Sequence, residues 1–199
     1  LQLASNLKDN GINYHCNYIF SYTTWFQDLL TRCSECNNIE INWSFRAHHF
    51  TNKIDTWKRV TSEGGGAIRF YGIHLIYIAS LLGFASVKKS EVKLSSSGDE
   101  VSWSCTLEDG KRRKLSLNLN TCAVKSVFKI NCKENHILEL KDPFDMDAPE
   151  GFMLDRRHNL IKKHILLSLG SASGTNYADE FKAITLWRDI ENANRKFES

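Results

Sequence analysis

Three stretches of strict alternation restrict what this chain can fold into. Val101, Trp103, Cys105 and Leu107 put an apolar side chain at every second position, as do Leu115, Leu117 and Leu119, and then Phe128, Ile130 and Cys132. Successive side chains of a strand point to opposite faces, so each run reads as a strand with one apolar face. Turn residues punctuate them: Ser95-Ser96-Ser97-Gly98, Asp109-Gly110 and Glu134-Asn135. Apolar-faced strands joined by tight turns pair antiparallel, and burying that one face calls for helices on one side of the sheet.

The rest of the chain supplies those helices. Residues 65–83 carry Ile68, Tyr71, Leu75, Ile78, Ala79 and Leu82 as a broad stripe at helical spacing, and Gly83 is a stop signal. Leu3, Ala4 and Leu7 with closing Gly11 predict a short helix. Ile12, Tyr14, Cys16 and Tyr18 predict a strand over 12–20. Thr23 and Thr24 are candidate caps for a helix carrying Trp25, Phe26, Leu29 and Leu30. Ile39, Ile41, Trp43 and Phe45 predict a strand over 39–50. Pro143 and Pro149 bracket an acidic loop, Ser171-Ala172-Ser173-Gly174 reads as a flexible turn, and helices are expected over 152–169 and 177–197, the last presenting Phe181, Ile184, Trp187 and Ile190. The expected fold class is α+β, an open and mainly antiparallel sheet with helices packed on one face, with residues 1–199 as a single domain.

Composition excludes several function classes. A net charge of +3 is too small to argue for nucleic acid. The densest basic run, Lys111-Arg112-Arg113-Lys114, follows Asp109-Gly110 and reads as a solvated hairpin tip without the aromatic residues a single-strand binder interleaves. No run of about 18 apolar residues predicts a membrane span, and no basic-then-apolar leader signals export. The first residue is Leu, which suggests a fragment or a processed chain. Six cysteines without a short-domain framework fit free thiols in a reducing cytoplasm. Cys33-Ser34-Glu35-Cys36 has metal-ligand spacing, but no second pair answers it, and Cys105, Cys122 and Cys132 read as core thiols. His48 and His49, adjacent on the expected strand, point to opposite faces. Asp142, Asp145 and Asp147 match no calcium loop. No metal site is expected.

One constellation separates the chain from an anonymous α+β domain: Trp57-Lys58-Arg59, then Gly64-Gly65-Gly66, then Gly72-Ile73-His74. Glycines at a helix start admit close approach, either of other backbone in a packing corner or of a ligand, and the free N–H groups there favour negative charge. His74, on the first turns of that helix, is within reach of a group held near its start. Phe70 lies four residues before it on the same face. The run Trp-Lys-Arg-Val-Thr-Ser-Glu-Gly-Gly-Gly-Ala-Ile-Arg-Phe-Tyr-Gly-Ile-His over residues 57–74, closing at Leu81-Leu82-Gly83, resembles the signature of the glucose-fructose oxidoreductase / inositol dehydrogenase / rhizopine catabolism protein family.

The resemblance covers essentially the whole C-terminal, dihydrodipicolinate-reductase-like domain of that family. It implies NAD or NADP held by a preceding Rossmann domain, absent here because no strand–GxGxxG–helix unit occurs. No cofactor-binding residue is therefore expected on this chain. It also implies a sugar, sugar acid or nucleotide sugar as substrate and a homo-oligomer formed through the open sheet face. His74 matches the family's histidine, a proton donor or acceptor on the reacting sugar hydroxyl. Phe70 stands where the family carries an aspartate, Tyr77 where an acidic residue follows the histidine, and Ile19 aligns with a frequent arginine. Lys58, Arg59 and Arg69 are candidate contacts for an acidic sugar or a phosphate, with Phe70 beside them; each cation also reads as ordinary surface charge. Two functions stay open: the substrate half of a sugar oxidoreductase, or a non-catalytic sugar-binding or oligomerisation module derived from one.

Overall fold

The computed structural model describes residues 2–11, 16, 18–133, 135–144, 157–170 and 177–198. Seven strands among them form one sheet: β1 (Asn38–Arg46), β2 (Ser86–Leu94), β3 (Glu100–Glu108), β4 (Lys114–Asn120), β5 (Cys122–Cys132), β6 (Asn135–Leu140) and β7 (Asn194–Glu198). The order across the sheet is β6-β5-β1-β4-β3-β2-β7. Four of the pairings are antiparallel; β1 with β4 and β2 with β7 are parallel. The helices are α1 (Gln2–Asp9), α2 (Phe26–Cys33), α3 (His48–Thr51), α4 (Ile73–Leu81), α5 (His158–Gly170) and α6 (Tyr177–Ala193).

The alternation runs form the floor of the core as expected. Trp103, Cys105 and Leu107 of β3 lie opposite Leu119, Leu117 and Leu115 of β4. With Ile39, Ile41, Trp43, Phe128 and Ile130 they are buried against Leu75, Ile76, Ile78 and Ala79 of α4. Each leucine, isoleucine or phenylalanine buried there stabilises by roughly 1.5–3 kcal/mol before entropy is subtracted. The intervening residues, Ser102, Ser104, Thr106, Ser116 and Asn118, occupy the other face. The fold is thus α+β, with an open, mostly antiparallel sheet covered by helices on one side.

Two devices hold α4 to the sheet. Gly72 lies so close to Trp103 that a Cβ there would come within 3.2 Å of the indole ring. Trp103 in turn donates its Nε1–H to Ser90 Oγ at 2.9 Å, and Ser90 donates to Asn194 Oδ1 where β7 joins β2. The second device is Arg113. It donates to the carbonyls of Ser34 at 2.7 Å and Leu82 at 2.8 Å, closing the ends of α2 and α4, and to Asp109 Oδ2 at 2.6 Å. Those terminal carbonyls have no helical N–H to satisfy them, which is what the guanidinium supplies.

Several expectations are corrected. The basic run is a turn with Lys111 and Arg112 exposed, but Arg113 folds inward, because three carbonyls and a carboxylate outweigh hydration. The strand expected over 39–50 ends at Arg46, and His48 and His49 sit in α3, where Ala47 N–H pairs with Thr121 and the chain turns. Of the strand expected over 12–20, residues 12–15 and 17 lie outside the described residues, while Ile19–Tyr22 is a 3-10 turn. Thr23 does not cap α2; its hydroxyl donates to Phe20 O at 2.7 Å. α6 stops at Ala193 and the chain continues as β7, and β2, with only Val87, Val92 and Leu94 as weak alternation, lacked a clear sequence signal. The expected helix over 152–169 is described from His158 onward, and the acidic 145–150 segment and the 171–174 turn lie outside the described residues.

Cys36 and Cys132 form a disulfide, not free thiols. β1 and β5 are antiparallel neighbours with Ile39 opposite Cys132, so the two cysteines meet with a Cα–Cα distance of 5.8 Å, within the usual range, although 96 residues separate them. The free-thiol argument for a reducing cytoplasm therefore loses its footing. Cys16, Cys33, Cys105 and Cys122 are free. No helix among the described residues is long and apolar enough to cross a membrane.

Candidate functional site

The helix that begins after the glycines opens with a π-helical turn, Ile68–Gly72, before becoming α4. Such turns are rare and recur at functional sites. Gly65 makes the corner: a Cβ there would lie 2.1 Å from Trp57 O and 2.6 Å from Lys58 O. Gly66, at φ +94, is approached by the Glu100 carboxylate at 2.6 Å on the same measure. The glycines therefore admit the chain's own backbone and side chains, and the packing-corner alternative is the one realised. Their product is placement: Lys58, Phe70 and His74 come to one cavity.

That cavity, of about 440 Å³, lies at the junction of β1, α3 and the π-helical turn. His74 and Tyr71 line it, together with Trp43, Phe45 and Phe70. The aromatic wall is built edge to face. Tyr71 meets Trp43 at 5.8 Å and Phe45 at 4.8 Å, and Phe70 meets Trp57 at 5.5 Å. Lys58 extends over the Phe70 ring, Nζ at 5.1 Å from its centroid. His48, Asp142 and Arg157 add polar and charged groups to the lining.

His74 is half-buried, with its ring 5.1 Å from Phe20 and its Nδ1 buried without a hydrogen-bond partner among the described residues. Burial, and then the nearby Arg157 charge, lower its pKa to about 4. At neutral pH it is an uncharged imidazole, and with Nδ1 buried the nitrogen it can offer to whatever enters is Nε2. His49 is fully covered, and burial followed by His48, Lys58 and Arg59 lowers its pKa as well. Its Nε2 lies 3.2 Å from Tyr71 Oη.

Of the residues singled out in the sequence, Lys58, Phe70 and His74 meet in the cavity. Arg59 and Arg69 do not line it. Arg59 is held by both oxygens of Asp99 at 2.6 and 3.2 Å, and Arg69 by both oxygens of Glu191 at 2.8 and 2.9 Å. Ile19 is on the cavity wall, whereas Tyr77 stacks on Tyr18 at 4.0 Å away from it. Sequence reading missed Tyr71 and His49. Tyr71 was hidden in the apolar stripe of its helix. His49 was assigned to a strand, and its partner lies 22 positions away. Trp43 and Phe45 carried a usable signal, since they end the apolar face of β1. Among the described residues no group of histidine, cysteine and carboxylate side chains is placed to hold a metal ion.

No family model matches the sequence, and no curated protein matches it. Solved structures do share its fold. D-galactose-1-dehydrogenase from Rhizobium etli superposes over 100% of this chain and 65% of its own, with a TM-score of 0.70 and 10% identity. KijD10, a 3-ketoreductase from Actinomadura kijaniata solved with NADP and TDP-benzene, covers 98% of this chain and 68% of its own at a TM-score of 0.67 and 11% identity. A putative oxidoreductase from Erwinia carotovora atroseptica gives 0.58 at 12% identity, over 96% and 67%. The chain spans about two-thirds of the length of these proteins.

Proposed function

We propose that this chain is the substrate-binding and oligomerisation half of a nicotinamide-dependent oxidoreductase acting on a sugar, sugar acid or nucleotide sugar. The observation that carries the proposal is the aromatic-walled cavity with a neutral His74 just after a π-helical turn, set in a fold shared with a 3-ketoreductase and a D-galactose-1-dehydrogenase. Aromatic faces with a few convergent polar groups suit a sugar ring, whose C–H faces are apolar and whose rim is hydroxylic. His74 would hold the hydroxyl or carbonyl oxygen of the reacting carbon, and Lys58 beside Phe70 would attract an acidic substituent.

The dinucleotide itself does not fit the residues described. The space at the glycine cluster is taken by Trp57 and Lys58 backbone at Gly65 and by the Glu100 side chain at Gly66. We therefore assign NAD or NADP to a separate Rossmann domain. We also assign the outer sheet face, with its small uncharged Ser102, Ser104, Ser116 and Asn118, to a second copy of the chain; light scattering that finds only monomer at about tens of micromolar contradicts this.

The alternative, a binding module without turnover, is favoured by Phe70 in place of a carboxylate and by a His74 too weakly basic to store a proton at neutral pH. Sugar-dependent reduction of NAD⁺ or NADP⁺ by the full-length protein separates the two. The enzyme reading expects turnover that falls about 10²-fold or more in His74→Ala. Sugar binding without turnover, or His74→Ala at the wild-type rate, rejects it.

A further inference from the structure

Tyr71 and His49 form a polar couple in a wall that is otherwise aromatic. Tyr71 comes from the π-helical turn and His49 from α3, and both line the cavity. His49 is 3% exposed, and its Nδ1 is buried with no hydrogen-bond partner among the described residues. The titratable and charged groups around it are His48 on its own helix, Lys58 and Arg59 on the neighbouring 3-10 turn, and Tyr71; Asp142 and Arg157 also line the cavity. With three of its near neighbours basic and its ring desolvated, His49 is neutral at pH 7.

A neutral imidazole carries one proton, on one of two nitrogens. An N–H buried without an acceptor is rarer in folded proteins than an acceptor left without a donor. The unpartnered Nδ1 is therefore the bare nitrogen, and the proton is on Nε2, facing Tyr71 Oη at 3.2 Å. Tyr71 Oη then accepts from His49, which leaves its own O–H free to point into the cavity. A hydroxyl that accepts one hydrogen bond becomes a stronger donor of the next. Burial keeps the Tyr71 phenol protonated by raising its pKa.

We propose that Tyr71 is a ligand-contacting residue whose hydroxyl, fixed by His49 Nε2–H, donates to an oxygen of the bound sugar, with His49 as the positioning residue behind it. The role rests on the reading of the cavity as a sugar site. It adds a second oxygen contact to the one offered by His74 one turn further along the helix. Two oxygens held from one helix face select a ligand with neighbouring oxygens, as on adjacent carbons of a hexose.

The test uses the full 199-residue chain, with D-galactose and a TDP-linked hexose as probes. Long-range ¹H–¹⁵N spectra of the ligand-free protein are expected to show His49 as the neutral Nε2–H tautomer. Titration with either probe is expected to weaken about 5- to 10-fold in Tyr71→Phe, the loss of one hydrogen bond. His49→Gln, whose amide N–H replaces the imidazole donor, is expected to stay within about 3-fold of wild type, whereas His49→Leu weakens as Tyr71→Phe does. Wild-type affinity in Tyr71→Phe, or an Nδ1–H tautomer, overturns the proposal. If the wild type binds neither probe, the sugar-site reading fails and takes the ligand role of Tyr71 with it, while the tautomer separately reports whether His49 holds the hydroxyl.

Discussion

Replacing Gly65 with alanine puts the corner that builds the cavity under direct test. The new Cβ would lie 2.1 Å from Trp57 O and 2.6 Å from both the carbonyl carbon and the oxygen of Lys58. Since such contacts need at least about 3 Å, two backbone segments must separate by about 1 Å. The separation stretches the Gly65 N–H bond to Val60 O and the Gly66 N–H bond to Lys58 O, each 2.9 Å long. Overpacking costs about 1–3 kcal/mol and each lost hydrogen bond about 1 kcal/mol, so a loss of about 3–5 kcal/mol is expected. For a chain of this size that lowers Tm by about 6–20 °C. Gly64→Ala is the control. At φ +91 it is strained, but nothing lies within 4 Å of its Cβ, so about 1–2 kcal/mol is expected. Thermal melts followed by circular dichroism decide the matter. A Gly65→Ala protein that melts within about 2 °C of wild type, or no lower than Gly64→Ala, refutes the packing-corner account.

Three further outcomes follow from the same geometry. His74 is expected to titrate in the folded chain with a midpoint of about 4, well below the unfolded value of 6.5. The folded state binds fewer protons in that window, so its stability is greatest above pH 6.5 and falls by at most about 3 kcal/mol as pH drops towards 4; a ring C–H titration near 6.5 contradicts this. Arg113→Ala is expected to cost about 2–4 kcal/mol in urea unfolding, because it strands the carbonyls of Ser34 and Leu82 and the Asp109 carboxylate. Burial works against ionisation of Asp109, but hydrogen bonds from Arg113 and Lys111 hold its pKa below 3.8. Its contribution is therefore complete above pH 3.8 and lost as pH falls through the lower folded value; a loss already under way at pH 6 contradicts the assignment. Finally, the denatured but unreduced chain is expected to show four thiols and the reduced chain all six cysteines, and six before reduction eliminates the Cys36–Cys132 bond.

The sheet and its main covering helix were legible because a buried face imposes its period on the sequence. Leu115, Leu117 and Leu119 cannot alternate so strictly on a surface, and Leu75, Ile78 and Leu82 mark the helix that covers them. β2 escaped because its buried positions include Ser90, a polar residue kept in the core by Trp103 and Asn194. β7 escaped because nothing in 194–198 interrupts helical spacing. The site was legible chiefly where its residues lie close together in the sequence. Phe70 and His74 sit four apart, and Lys58 precedes the same glycines. The ion pairs that occupy Arg59 and Arg69 depend on Asp99 and Glu191, 40 and 122 positions away, and the couple of His49 with Tyr71 depends on where β1 stops. Those distances are set by the sheet order, which no local pattern encodes.

Mapping where a sugar binds tests the central assignment most directly. The ¹⁵N- and ¹³C-labelled chain, titrated with D-galactose and with a TDP-linked hexose, should show its largest chemical-shift changes at Lys58, Phe70, Tyr71 and His74, with smaller ones at Trp43 and Phe45. Changes confined to the outer sheet face around Ser102, Ser116 and Asn118, or no change with either probe, would contradict the sugar-site assignment.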